Sequence, residues 1–209
     1  SAQQNFVGWG GQADCRPPGG GGGGGGGGGI AQMWGGNVNT PFCAEGSSGV
    51  AMANPTLDVI HPHRGTLAVS AVSTPSNTNT AAAAAAATTT TVIPGAASET
   101  DLWQAFCAGA DVPPASADPT PPSAAGTSPC AGVVQTVTVP AHGSATVTFV
   151  TTWHFPNRQR DGSCGTAYGN ILPAVLGNRY AEWFADARAV AAYVVSRLDY
   201  LLPTTRDYR

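Results

Sequence analysis

The run Trp153-His154-Phe155-Pro156-Asn157-Arg158 is the chemically densest stretch of the chain. Aromatic faces alternate in it with imidazole, amide and guanidinium donors, a mixture that suits a hydroxyl-rich ligand such as a sugar, or contact with another domain. The same residues admit a plainer reading, with Trp153 and Phe155 in a core and His154 and Asn157 satisfying buried backbone groups. Downstream, Asn178, Tyr180 and Asp186 complete the set of candidate residues. Asn178 stands where it could cap the first turn of a helix by accepting backbone N–H groups. Asp186, close to Arg179 and Asn178, reads as an ion-pair partner or a cap rather than as a catalytic acid.

Other chemistries find less support. Acid/base cleavage of a glycoside needs two carboxylates facing each other at about 5–10 Å. The twelve Asp and Glu residues are scattered, and no motif pairs them. His61-Pro62-His63 is the one close histidine pair. Pro62 keeps it extended, so both rings could point one way, but a zinc site needs further ligands and none lies nearby. Cys15, Cys43, Cys107, Cys130 and Cys164 are far apart and unevenly spaced. Without a Cys-x-x-Cys pair they suggest neither a zinc site nor a redox motif but idle thiols, or one or two disulfides if the protein is exported, and the odd number leaves a free thiol unless it pairs between chains. No nucleophile elbow, zincin or kinase signature is present. The reading is therefore a chain with no catalytic residue, metal ligand or cofactor site of its own.

Composition narrows the partners. Only 10% of the 209 residues are charged, all nine basic ones are Arg, and the net charge is −3. Phosphate contacts require concentrated positive charge, so nucleic acid is excluded. No apolar run reaches the ~20 residues of a membrane-crossing helix. The N-terminus lacks a signal-peptide layout, leaving a soluble protein, cytoplasmic or exported, as the expectation. Five Trp, six Phe and five Tyr suffice for a core.

The positioning elements lie between three low-complexity stretches: eleven glycines at 19–29, the Ala/Thr-rich 74–91, and 111–129 with six prolines. Each reads as a loop in a β-rich scaffold. Residues 66–73 are β-compatible. Residues 133–139 place Val133, Val137 and Val139 on one face, 140–143 reads as a turn, and 144–153 places Val147, Phe149 and Trp153 opposite Thr146, Thr148 and Thr152. That pattern predicts a hairpin with one half-buried face, in a sheet that pairs with another as an antiparallel β-sandwich. From Tyr180 the period changes. Trp183, Phe184, Ala187, Ala191, Val194, Val195, Leu198, Leu201 and Leu202 predict one α-helical stripe that Pro203 ends. Such a stripe must lie against the sandwich or against another domain.

In order along the chain, Val7-Gly-Trp9 with Gln12, Gly35-Gly-Asn-Val-Asn39, Thr151-Thr-Trp-His-Phe-Pro-Asn157, and Gly177-Asn178 with Tyr180, Phe184, Asp186-Ala187, Val190-Ala191, Tyr193 and Thr205-Arg206 resemble the N-terminal region of glycoside hydrolase family 116, the non-lysosomal glucosylceramidase and β-glucosidase family. The resemblance implies a β-sandwich over 1–176 and a connecting helix over 177–209, packed on a separate (α/α)6 catalytic barrel of the same polypeptide. It implies a retaining β-glucosidase, acting on β-glucosides or glycolipid, whose nucleophile and acid/base belong to that barrel. The polyglycine and Ala/Thr runs depart from the family's pattern. The alternative is a non-catalytic, exported carbohydrate-binding or structural β-sandwich.

One expectation follows from the polyglycine run alone. Loop-closure entropy changes by only about 0.6 kcal/mol per doubling of length. A chain lacking residues 20–28 is therefore expected to melt within a few degrees of the parent by circular dichroism, and loss of the cooperative transition would show that the glycines run through the packed structure.

Overall fold

The computed structural model of the chain describes residues 2–4, 35–44, 46–61, 64–73, 88–107, 118–124, 127–139, 141–142, 144–158 and 177–207. The polyglycine run, residues 74–87 of the Ala/Thr run, residues 111–117, Cys15, His63 and Cys164 lie outside the described residues.

Small and β-branched residues at alternating positions build strands whose faces can approach closely. These are β1 Ala2–Gln4, β2 Val38–Ala44, β3 Ser47–Ala53, β4 Thr66–Val72, β5 Thr88–Ala96, β6 Cys130–Val137 and β7 Phe149–His154. They form two antiparallel sheets, ordered β1-β6-β5 and β2-β3-β4-β7. Val50, Met52, Val69 and Ala71 from one sheet meet Ala131 and Val133 from the other, with Leu67 and Val92 at the margin. Two helices cover the outer faces. Helix α1, Glu99–Cys107, lies on the three-stranded sheet, where Leu102 comes so close to Gly132 that an added Cβ would sit 3.1 Å from its Cδ1. Helix α2, Ala187–Ser196, lies on the four-stranded sheet through Ala187 against Ala51 and Ala68, and through Val195 against Val72 and Val150. Helix α3, Leu198–Asp207, follows it and buries no residue. Among the described residues no helix is long and apolar enough to cross a membrane.

The predicted hairpin does not form. Strand β6 is paired on both edges, by β1 and β5, so β7 joins the free edge of β4 in the other sheet. Its buried face is also the opposite one. Val150, Thr152 and His154 are buried, whereas Phe149 and Trp153 are 41% and 65% exposed. The cause is α2, which packs on the face that carries the threonine. Burying that hydroxyl is offset because Thr152 Oγ1 donates to the Ala187 carbonyl at 2.7 Å.

The single terminal helix is likewise three pieces: a 3-10 turn Arg179–Glu182, then α2, then α3. The buried stripe narrows to Ala187, Ala191 and Val195, while Trp183 is 68% exposed. Pro203 sits inside α3 instead of ending it. The hydroxyls of Thr204 and Thr205 donate to the Tyr200 and Leu201 carbonyls, which keeps that turn bonded next to the missing proline N–H.

Two predicted loops also contain ordered parts. Thr88–Thr91 opens β5. Residues 118–124 of the proline-rich stretch run beside β2, where Thr120 and Ser123 donate their N–H groups to the Asn39 and Asn37 carbonyls.

Candidate functional site

Strand β7 ends at His154, and the chain then passes through Phe155, Pro156 and Asn157 towards the outside. Gly177, whose φ of +70° suits a residue without a Cβ, brings the chain back so that the Asn178 N–H donates to the Pro156 carbonyl at 2.7 Å. The two segments then interlock. Tyr180 donates its hydroxyl to the Phe155 carbonyl at 2.6 Å and accepts the Phe155 N–H at 3.0 Å. Asn178 Nδ2 donates to the same carbonyl at 2.7 Å. Asn157 Nδ2 donates to the Val59 and His61 carbonyls, both at 2.8 Å, tying in residues 57–61. Below them His154 is 3% exposed, packs edge-on to the Tyr180 ring at 5.3 Å, and has no hydrogen-bond partner on Nε2.

The structure therefore brings His154, Asn157, Asn178 and Tyr180 together, with their polar groups largely committed to backbone. Arg158 is exposed beside them. Trp153 does not join the cluster, because alternation along β7 sends it to the opposite face from His154. Asn178 makes no side-chain cap. The cap is Asp186, which accepts the Ala189 N–H at 2.9 Å and pairs with Arg188, not Arg179, at 2.6 Å. Burial would raise the Asp186 carboxyl, but hydrogen bonds from Arg188 and from the Ala189 N–H, with the Arg188 charge, hold it below its ordinary value.

A group held in its ionised form supports the fold only while ionised. The Asp186 contribution is present above the ordinary carboxylate value of 3.8 and is lost as pH falls through the lower folded-state value. Asp186→Ala is expected to cost about 1 kcal/mol at neutral pH. The difference in melting temperature from the parent should vanish in strong acid, and a difference that persists there would assign the effect to packing.

Beside the cluster opens a shallow depression of about 570 Å³ lined by Pro156, Gly177, Asn178, Arg179, Ala181 and Glu182. Glu182 is its one carboxylate, so it does not hold the facing pair that glycoside cleavage needs. Among the described residues no three His, Cys, Asp or Glu side chains gather to hold a metal ion. The arrangement can fix two segments and present a polar surface.

A second polar constellation was not predicted. Asn37, Asn39 and Asn54 are each at most 2% exposed. Asn39 Nδ2 donates to the Pro94 carbonyl at 2.8 Å and to that of Pro129 at 3.4 Å, so a side chain of β2 ties down the ends of β5 and β6 in the other sheet. Asn54 Nδ2 donates to the Gly35 carbonyl at 2.9 Å and to Asn37 Oδ1 at 3.3 Å. Nothing in an isolated Asn distinguishes such burial from a solvated turn. Helix α1 also went unpredicted, although its signal is in the sequence. Ser98-x-x-Asp101 is a capping box, with the Ser98 hydroxyl and the Asp101 N–H and carboxylate bonded at 3.1 and 2.7 Å, just before Leu102-Trp103.

A family model described as "beta-glucosidase 2, glycosyl-hydrolase family 116 N-term" matches residues 1–201. No curated protein matches the chain.

Proposed function

The chain belongs to the family of glycosyl-hydrolase family 116 N-terminal domains, and from that premise we propose that it is the accessory β-sandwich of a β-glucosidase or glucosylceramidase-like enzyme. On this reading hydrolysis of β-glucosides or glucosylceramide is carried out by an (α/α)6 domain of the same polypeptide, with residues 177–209 forming the connection to it. The chain supplies support and docking and no catalytic group.

The observation that carries the reading is the outward side of the helical end. Trp183, Tyr200, Leu202 and Tyr193 are 68%, 65%, 49% and 46% exposed, while α2 is packed on the sheet through Ala187, Ala191 and Val195. Large apolar side chains left in solvent along one terminal segment are what a docking surface offers. The carboxylates with described hydrogen bonds agree with a non-catalytic role, since Asp58, Asp101 and Asp186 each serve a local turn or helix start.

The test uses the polypeptide that carries both domains. Trp183→Ser combined with Tyr200→Ser is expected to lower kcat/KM on an aryl β-glucoside about tenfold, the equivalent of roughly 1.4 kcal/mol of lost organisation. The circular dichroism spectrum should be unchanged. The 209-residue chain alone should show no turnover. Unchanged activity in the double variant would remove the docking surface. Turnover by the chain alone, abolished by changing one of its own Asp or Glu residues, would overturn the accessory role.

A further inference from the structure

Each of the two sheets has two edges, and an unpaired edge is a template for another strand. Three of the four are blunted, each by a different device. The β2 edge is covered at its start by residues 118–124, through backbone bonds at Asn37 and Asn39, and carries Pro41 beyond them. The β5 edge carries Pro94 within a register break between Ile93 and Ala96. Strand β1 is only three residues long. Among the described residues, strand β7 has none of these protections. Its six residues, Phe-Val-Thr-Thr-Trp-His, include no proline, no Asp, Glu, Lys or Arg, and pair with β4 in unbroken register.

The direction of its backbone groups follows from one bond. Val72 donates its N–H to the Thr148 carbonyl, and bonded residues alternate along an antiparallel pair. Val150, Thr152 and His154 therefore turn their N–H and C=O groups towards Ser70, Ala68 and Thr66. Phe149, Thr151 and Trp153 turn theirs outward. The side chains of these same three residues are the exposed ones on the strand.

We propose that β7 is a strand-addition site whose occupant is β7 of a second copy of this chain, related by a twofold axis at Thr151. The outward residues are symmetric about Thr151, so an antiparallel pair sets Thr151 against Thr151, and Phe149 of each copy against Trp153 of the other. Aromatic cross-strand pairs of this kind favour association, and no like charges meet along the strand. The two four-stranded sheets become one continuous eight-stranded sheet. The proposal does not rest on the accessory role above, since it concerns a different edge of the fold.

Sedimentation equilibrium of the 209-residue chain at micromolar concentration is expected to give twice 21.0 kDa. Thr151→Lys sets two like charges face to face and should give a monomer, as should Thr151→Glu. Mixing the two variants should restore a dimer containing one of each. Independently of any variant, amide hydrogen exchange at Phe149, Thr151 and Trp153 should be slow in the dimer and fast on dilution. Trp183→Ser with Tyr200→Ser should leave the dimer intact. A monomeric parent, a dimer that survives Thr151→Lys, a mixture that stays monomeric, loss of the dimer in the helix-face variant, or exchange independent of concentration would each overturn the proposal.

Discussion

Asn39→Asp is expected to lower the melting temperature at neutral pH by about 6–12 °C, from a loss of about 3 kcal/mol spread over a domain of this length. The substitution changes one atom group. In the parent, the Asn39 amide donates to the carbonyls of Pro94 and Pro129 from a position 0% exposed. A carboxylate there accepts only, so it leaves both carbonyls without their donor and sets a charge among them. Burial and those carbonyls must raise the carboxyl pKa in the folded protein above the unfolded value of about 3.9. The folded state then binds more protons than the unfolded one between the two values. Stability of the variant is greatest below the unfolded pKa, where the neutral acid can donate one bond, and falls as pH rises through the folded pKa. Asn39→Leu is the control, because its deficit has no such dependence on pH. Melting curves of both variants from pH 3 to 7 check the idea. Equal deficits at all pH values for Asn39→Asp would show that the amide does not hold the two carbonyls.

Tyr180→Phe combined with Asn178→Ala is expected to cost more than the sum of the single changes. Tyr180→Phe orphans the Phe155 N–H, at about 2 kcal/mol, but leaves the Phe155 carbonyl bonded to Asn178. Asn178→Ala leaves the same carbonyl bonded to Tyr180, at about 1 kcal/mol. Only the double variant strands that carbonyl, which adds roughly 1 kcal/mol of coupling. Urea titrations of the four proteins give the cycle directly. Additive losses would mean that the two side chains do not share the carbonyl in solution. The cycle also bears on the proposed docking surface, since this junction ties the end of β7 to the 3-10 turn that leads into Trp183 and α2.

Much of the site was legible as residues and little of it as geometry. Trp153 to Arg158 stood out because polar and aromatic types alternate there, and Asn157 does bond backbone carbonyls, though those of exposed Val59 and half-buried His61 rather than the buried groups of the plainer reading. The partners of those groups come from 57–61 and 177–180, and nothing local to the run announces such distant segments. Asp186 was legible as a cap or ion-pair partner because a cap is a short-range device, written within three residues of the bond it makes. The capping box at Ser98 was equally local. The helix it starts is only nine residues long and lies between two low-complexity stretches, so its periodic signal is weak.

The sequence by itself determined the β-rich character, the switch to helical period near Tyr180, the scarcity of charged residues and the family resemblance, which the family model matches over residues 1–201. Each of these depends on residue type and near spacing. Only the tertiary structure decided which sheet β7 joins, which of its faces is buried, and that three asparagines lie inside. A period of two says which residues share a face, never which face turns inward. That choice belonged to α2, which covers Thr152, and to Tyr180, which packs on His154, so that Trp153 is left in solvent. Likewise β6 could not accept β7 because residues far away in sequence had filled both its edges. Pairing is a competition among distant strands for a limited number of edges, and its outcome is a property of the assembled molecule rather than of any stretch of it.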